Sequence, residues 1–184
     1  MILSFQTKIN GKPNNFVEKI IAGLYRNEII DDKAGKSLVK DYFTFLKRPL
    51  PEMFFYQGKP KIHTIVVDKP NLWKAGKRIS FFIHYGEKKE FWFAPIVPVI
   101  ATQEIFMTHR AGVLEITVAN SDSYIGGNDF YLDRDKISEL AKNDGFDTVE
   151  EFSKYFVNLI SENGDKTGNY WFKGKIIHWT NFKY

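Results

Sequence analysis

The chain has no cysteine. That absence excludes disulfides, thiolate nucleophiles and every zinc or iron–sulfur site built on thiolates. Long apolar runs are missing too. The longest, FWFAPIVPVIA, contains two prolines and falls well short of the roughly 20 residues that a membrane-spanning helix needs. The first ten residues, MILSFQTKIN, turn polar too soon for a secretory signal. The expectation is a soluble, cytoplasmic protein with no membrane partner. Its four histidines, His63, His84, His109 and His178, are scattered, with no i, i+4 pair and no HExxH. A GxSxG elbow and a phosphate-binding GxxxxGKS/T loop are also absent, and no pair of carboxylates stands out for glycosidase chemistry. No metal and no cofactor is expected. Repeats, low-complexity tracts and interdomain linkers are lacking, so 184 residues read as one domain.

Aromatic residues are plentiful, and positive charge is concentrated. The net charge of +4 is unremarkable, but residues 59–78, KPKIHTIVVDKPNLWKAGKR, set six cations against Asp68 alone. That segment carries +5 and the rest of the chain about −1, a local field that attracts phosphates or acidic ligands.

Hydrophobic periodicity gives the order of elements. ILSFQT is a first strand. NNFVEKIIAGLYR is a helix capped by Asn14 or Asn15, with Phe16, Ile20 and Leu24 on one face. KSLVKDYFTFLKR is a second helix, stopped by Pro49-Leu50-Pro51. Strands follow at 61–67 and 79–85, then two more in FWFAPIVPVIATQEIFM about a proline-marked bend, then VLEITVA. NSDSYIGGND is a loop and DFYL a short extended piece. DRDKISELAKNDG is a helix ending at Gly145, and TVEEFSKYFVNLI a helix with a Thr148/Glu151 capping box. A polar loop, SENGDKTGN, precedes a last strand, KIIHWTNF. Runs of antiparallel strands with peripheral helices point to the α+β class, with a small barrel or a strongly bent sheet.

The stretch KIHTIVVDK carries the candidate chemistry. A Thr64 hydroxyl becomes nucleophilic only when a base takes its proton. A Lys61 amine can do so if burial or neighbouring cations lower its pKa. Residues i and i+3 of a straight strand point to opposite faces, so Lys61 must lie in the bend before the strand, where Pro60 stands. By itself Lys-x-x-Thr is a common spacing. Asp144, in Asn-Asp-Gly, reads equally as turn chemistry and as a partner for Lys61, because a carboxylate at a helix C-terminus opposes the helix dipole.

Taken together, KIHTI, the Trp73-Lys74-Ala75-Gly76 turn leading to a strand, the late LAKNDGFDTVEEF and the terminal GKIIHWTNFKY resemble the ASCH family of the PUA-like superfold. The resemblance covers most of the chain apart from residues 27–58, which read as an insertion, and the long strands at 86–112. It implies a small β-barrel flanked by helices and a ligand such as RNA or a modified nucleoside. Compact bacterial members are amidohydrolases that remove the acetyl group from acetylated cytidine nucleosides with a Lys, a Thr and a Glu. Matched by position, the Lys falls on Lys61, the Thr on Thr64 and the acid on Asp144, one methylene shorter than Glu; the motif's Arg is Val66 here.

Three functions follow as expectations. The first is binding of RNA or a modified nucleoside in a basic, aromatic-lined cleft, with Lys59, His63, Lys69, Trp73, Lys74 and Trp179 as ligand contacts beside Lys61 and Thr64. Trp171, Phe91 and Trp92 are further stacking candidates. The second is hydrolysis of an acylated nucleobase, with Lys61 as base, Thr64 as nucleophile and Asp144 in support. The third is docking of a protein partner on the insertion through Phe43, Phe45, Phe54 and Phe55. The hydrolase requires Lys61, Thr64 and Asp144 to meet in one cleft.

Overall fold

The computed structural model describes residues 1–9, 11–47, 58–120 and 130–184. Strand β1 (Ile2–Phe5) leads through a small hairpin, β2 (Lys8–Ile9) and β3 (Lys12–Pro13), into helix α1 (Phe16–Arg26). Helix α2 (Asp32–Leu46) follows. The chain then forms β4 (His63–Val66), β5 (Arg78–Ile83), β6 (Phe91–Pro98), β7 (Ala101–Arg110), β8 (Val113–Asn120) and β9 (Phe130–Tyr131). Helices α3 (Arg134–Asn143) and α4 (Val149–Thr167) precede the last strand, β10 (Trp171–His178).

The architecture is α+β. One sheet has the order β1-β5-β6, with β1 and β5 parallel; the other has the order β4-β10-β7-β8-β9, antiparallel throughout. The chain passes from one sheet to the other between β6 and β7. There Val99 N–H bonds the Lys77 carbonyl and Ile100 N–H bonds the His178 carbonyl. Pro95, which has no N–H to give a ladder, falls where the β5–β6 register slips. No ring of strands closes among the described residues: β1 and β4 are each paired on one side only. The residues of those two open edges line one cavity.

Two apolar clusters hold the sheets in place. The first packs Phe81, Phe93 and Trp179 against α1, α2 and Trp73. The second packs one face of the five-stranded sheet, through Ile105, Met107, Ile116 and Ile176, against α3 and α4. None of the described helices is long and apolar enough to cross a membrane.

Helix α2 begins one turn before its sequence-based start, because the Asp31 carboxylate accepts from Ala34 N–H at 2.7 Å and caps it. The expected insertion is therefore in part core. Tyr42 is fully buried and its hydroxyl donates to Glu18, while Phe45 stacks on Phe91 at 4.3 Å. Of the phenylalanines assigned to partner docking, Phe43 is exposed, Phe45 is engaged within the fold, and Phe54 and Phe55 lie outside the described residues. Helix α4 also runs on to Thr167 through SENGDKT, which the sequence reading made a loop. The stretch is polar because it is solvated, and a Glu162–Lys166 pair spans it. Gly168, at φ +76°, ends the helix, and β10 starts at once.

Candidate functional site

The site begins with the end of α3. Asp144 is its C-cap and Gly145 follows at φ +89°. Phe146 N–H returns to the Ala141 carbonyl and Gly145 N–H to the Lys142 carbonyl, the two bonds of a Schellman motif. Asn-Asp-Gly is thus turn chemistry, and it is also more than that. The carbonyls that such a terminus leaves unpaired are taken up by two other segments. Ile62 N–H bonds the Asn143 carbonyl at 3.0 Å, Lys61 Nζ bonds the Asp144 carbonyl, and Lys19 Nζ bonds the Gly145 carbonyl at 2.7 Å.

Lys61 lies in the bend just before β4, outside the alternation of the strand, and is 0 % exposed. Its N–H bonds the Lys19 carbonyl at 2.9 Å, which fixes it against α1. Gly23 permits that approach, since a Cβ there would stand 2.3 Å from the Lys61 carbonyl oxygen. Lys61 Nζ meets Asp144 Oδ1 at 2.5 Å and lies over the Phe16 ring at 4.7 Å. Burial pulls the ammonium pKa below its ordinary value; the Asp144 carboxylate acts against that pull, and Lys19 adds to it.

Thr64, in β4, is buried and lines the same cavity as Lys61 and Asp144. The cavity is about 200 Å³ and is walled by Phe5, Phe16, Phe146 and Tyr155. Lys61, Thr64 and Asp144 therefore converge in one cleft, between the open edges of β1 and β4. Asp144 reaches Lys61 in spite of its short side chain, because the helix terminus itself is delivered to the lysine. Among the described residues Lys61 Nζ bonds Asp144 and not Thr64.

The expected ligand contacts separate. Trp73 and Trp179 belong to the core; Trp179 is 1 % exposed and packs edge-on to Phe81, so neither offers a free stacking face. His63 is fully buried beneath the site, with Nε2 2.9 Å from the Tyr184 hydroxyl. Its Nδ1 stands 3.6 Å from Asp144 Oδ1, too far for a hydrogen bond. Lys59 donates to the Asp147 carbonyl. Lys69 and Lys74 are exposed, and Lys69 borders a different groove, on the five-stranded sheet. The +5 segment is thus no single patch, because Lys61 is buried against a carboxylate and the other cations fan outward.

Residues that pattern reading passed over complete the site. Lys19 is 4 % exposed and pairs with Asp147 at 2.9 Å. The Tyr184 hydroxyl receives Asn143 Nδ2 at 3.1 Å, while Gln103 clasps the Tyr184 backbone N–H and carbonyl at 2.9 and 3.0 Å. Glu18-Lys19 inside an otherwise apolar helix was the available signal for the first of these.

His178 pairs in register with His63, their rings 5.3 Å apart. Burial pushes the His178 pKa down to about 3, with the charges of His63 and Lys183 adding to it, and burial lowers the His63 pKa in the same direction. Burial therefore favours the neutral imidazole at both positions. The unfolded chain takes up protons near pH 6.5, so the stabilising effect is complete above that pH. For His178 it is lost progressively as pH falls from 6.5 toward 3, and His63 acts in the same direction. At pH 5, His178 alone should lower stability by about 2 kcal/mol, or about 4–8 °C in Tm for a chain of this size. Thermal melts at neutral pH and at pH 5 check this, and His178→Leu should flatten the difference. Equal Tm values for the native protein would mean that the pair is not buried neutral.

Comparison of the chain with protein-family models, with curated proteins and with solved structures finds no match in any of the three.

Proposed function

We propose that this chain is an ASCH-like protein of the PUA-like superfold that takes a modified pyrimidine nucleoside, or one unstacked base of an RNA, into the cleft at Lys61, Thr64 and Asp144. The observation that carries the reading is that these three residues, matched by position to the family's Lys, Thr and acid, line one cavity. Its size bears on the ligand. Drug-sized ligands occupy about 300–1,000 Å³. A cleft of about 200 Å³ suits one base with its substituent rather than a run of strand. The two unpaired strand edges supply backbone donors and acceptors, and Phe16 and Tyr155 supply apolar walls. The five-stranded and three-stranded sheets, joined by the bend at 98–101, correspond in this reading to a PUA-like barrel left open at β1 and β4.

Calorimetric titration with acetylcytidine and with cytidine tests the proposal. Saturable binding that prefers the acetylated nucleoside, and that a bulky Thr64→Phe abolishes, is the expected result. Absence of binding by either nucleoside defeats it.

The Lys61–Asp144 contact favours a second reading, hydrolysis of the acyl group. In that reaction the Thr64 oxygen bonds the acyl carbon as Lys61 accepts the hydroxyl proton. The carbon–nitrogen bond to the base then breaks, the leaving amine takes the proton, and water releases the acyl group from Thr64 as a carboxylic acid. A lysine whose pKa burial pulls below its ordinary value gives up its proton more readily, which fits that role. Turnover of acetylcytidine to cytidine and acetate should vanish in Thr64→Val; equal turnover in the variant excludes Thr64 as nucleophile.

A further inference from the structure

We infer that the outer face of the five-stranded sheet is a second, independent binding site, a platform for single-stranded nucleic acid. The inner face of that sheet is covered by α3 and α4, whereas the outer face holds a groove of about 860 Å³, much larger than the Lys61 cleft. Register sets a row of side chains across four strands. Lys173 of β10 stands beside Phe106 of β7, Phe106 beside Thr117 of β8, and Thr117 beside Tyr131 of β9. Trp171, two residues before Lys173 on the same face, tilts 35° to the Phe106 ring with centroids 5.8 Å apart. All three aromatics are open to solvent: Trp171 is 37 %, Phe106 41 % and Tyr131 63 % exposed.

The charges sort in the same direction. Asp68 and Glu104, the acids of the groove, both face the buried Lys175, at 3.4 and 3.5 Å. Lys69 and Lys173 also border the groove, and neither has an acidic partner among the described residues. Exposed ring faces flanked by uncommitted lysines match a strand whose bases stack while its phosphates meet cations. A protein-docking core is ordinarily depleted in lysine, and a duplex keeps its bases stacked on one another and unavailable to Trp171 and Phe106.

Anisotropy titration with labelled oligo-dT and oligo-rU of about 15 nucleotides tests the platform, and comparing the two separates a DNA from an RNA preference. With two phosphates engaged, log K should fall against log salt with a slope of about −1.4, roughly a sevenfold loss between about 50 and 200 mM. Trp171→Ala should weaken binding about tenfold or more at either salt. Lys173→Glu, at an exposed position where folding is not at stake, should weaken binding and make the slope shallower by about 0.7. Failure of both oligonucleotides to bind overturns the inference. So does binding that survives both Trp171→Ala and Lys173→Glu, since it would then lie elsewhere. Nucleoside binding in the Lys61 cleft is measured separately and stands or falls without this result.

Discussion

Replacing Lys61 by methionine should cost about 3–5 kcal/mol of stability, the largest effect expected of any single side chain at the site. Methionine has nearly the volume and shape of the lysine stem, so the cavity left behind is small. What is lost is the charge. The Asp144 side chain is 6 % exposed and has its Oδ1 2.5 Å from Lys61 Nζ, so Lys61→Met leaves a carboxylate in the interior with its partner gone. The Asp144 carbonyl at the end of α3 loses the same donor. For this chain length the cost corresponds to a Tm lower by about 6–20 °C. Urea unfolding measures it. The double variant Lys61→Met/Asp144→Asn should recover part of the loss, because it removes the stranded charge along with its partner. A Lys61→Met protein within about 1 kcal/mol of the native one would mean that the pair is solvated and gives the fold little.

Gly23→Ala should destabilise by about 1–3 kcal/mol, against the usual sign for a helix interior. Alanine in place of glycine normally gains about 1 kcal/mol there. At Gly23 the new Cβ would stand 2.3 Å from the Lys61 carbonyl oxygen, which is backbone and cannot swing aside. That peptide is pinned by its own bond to the Lys19 carbonyl and by the next residue's bond to Asn143. The substitution therefore pushes α1 away from the strand that carries Lys61 and Thr64, and ligand binding should weaken with stability. Gly35→Ala is the internal comparison. Its Cβ would meet only the Tyr25 ring, at 3.7 Å, an ordinary contact, so the helix gain should be realised and Tm should rise. A stabilised Gly23→Ala would contradict the close approach of α1 to Lys61.

Much of the fold was legible because local signals stated it. The Thr148 cap, Gly145 as a terminator, the apolar face of α1 and the strands that became β5 and β8 each appear close to where the sequence placed them. Two errors came from equating polarity with loop: SENGDKT is a solvated helical turn, and Asp31 caps a helix whose first turn is too polar to announce itself. That Lys61, Thr64 and Asp144 meet was legible as a requirement, and they line one cavity, but its surroundings were not legible. Lys61 in a bend and Asp144 opposing a helix dipole were each readable, and the structure adds that one satisfies the other. The aromatics misled for a physical reason. Trp73 and Trp179 are packed into the core with the three-stranded sheet and its helices, while Trp171 and Phe106 are among the exposed aromatics, as is Trp92, and lie together on the five-stranded sheet. The Tyr184–His63–Asn143 contacts join residues more than forty positions apart, and no local pattern encodes them.

In the proposed function a modified pyrimidine nucleoside enters the cleft between the edges of β1 and β4. Backbone amide chemical shifts, followed while acetylcytidine is added to Thr64→Val protein, test it most directly, since that variant keeps the shape of the cleft without the hydroxyl. Shifts that saturate and cluster on Leu3, Phe5, Ile65, Asp144, Gly145 and Phe146 are the expected result. No shifts, or shifts centred instead on Phe106, Trp171 and Lys173, would contradict it.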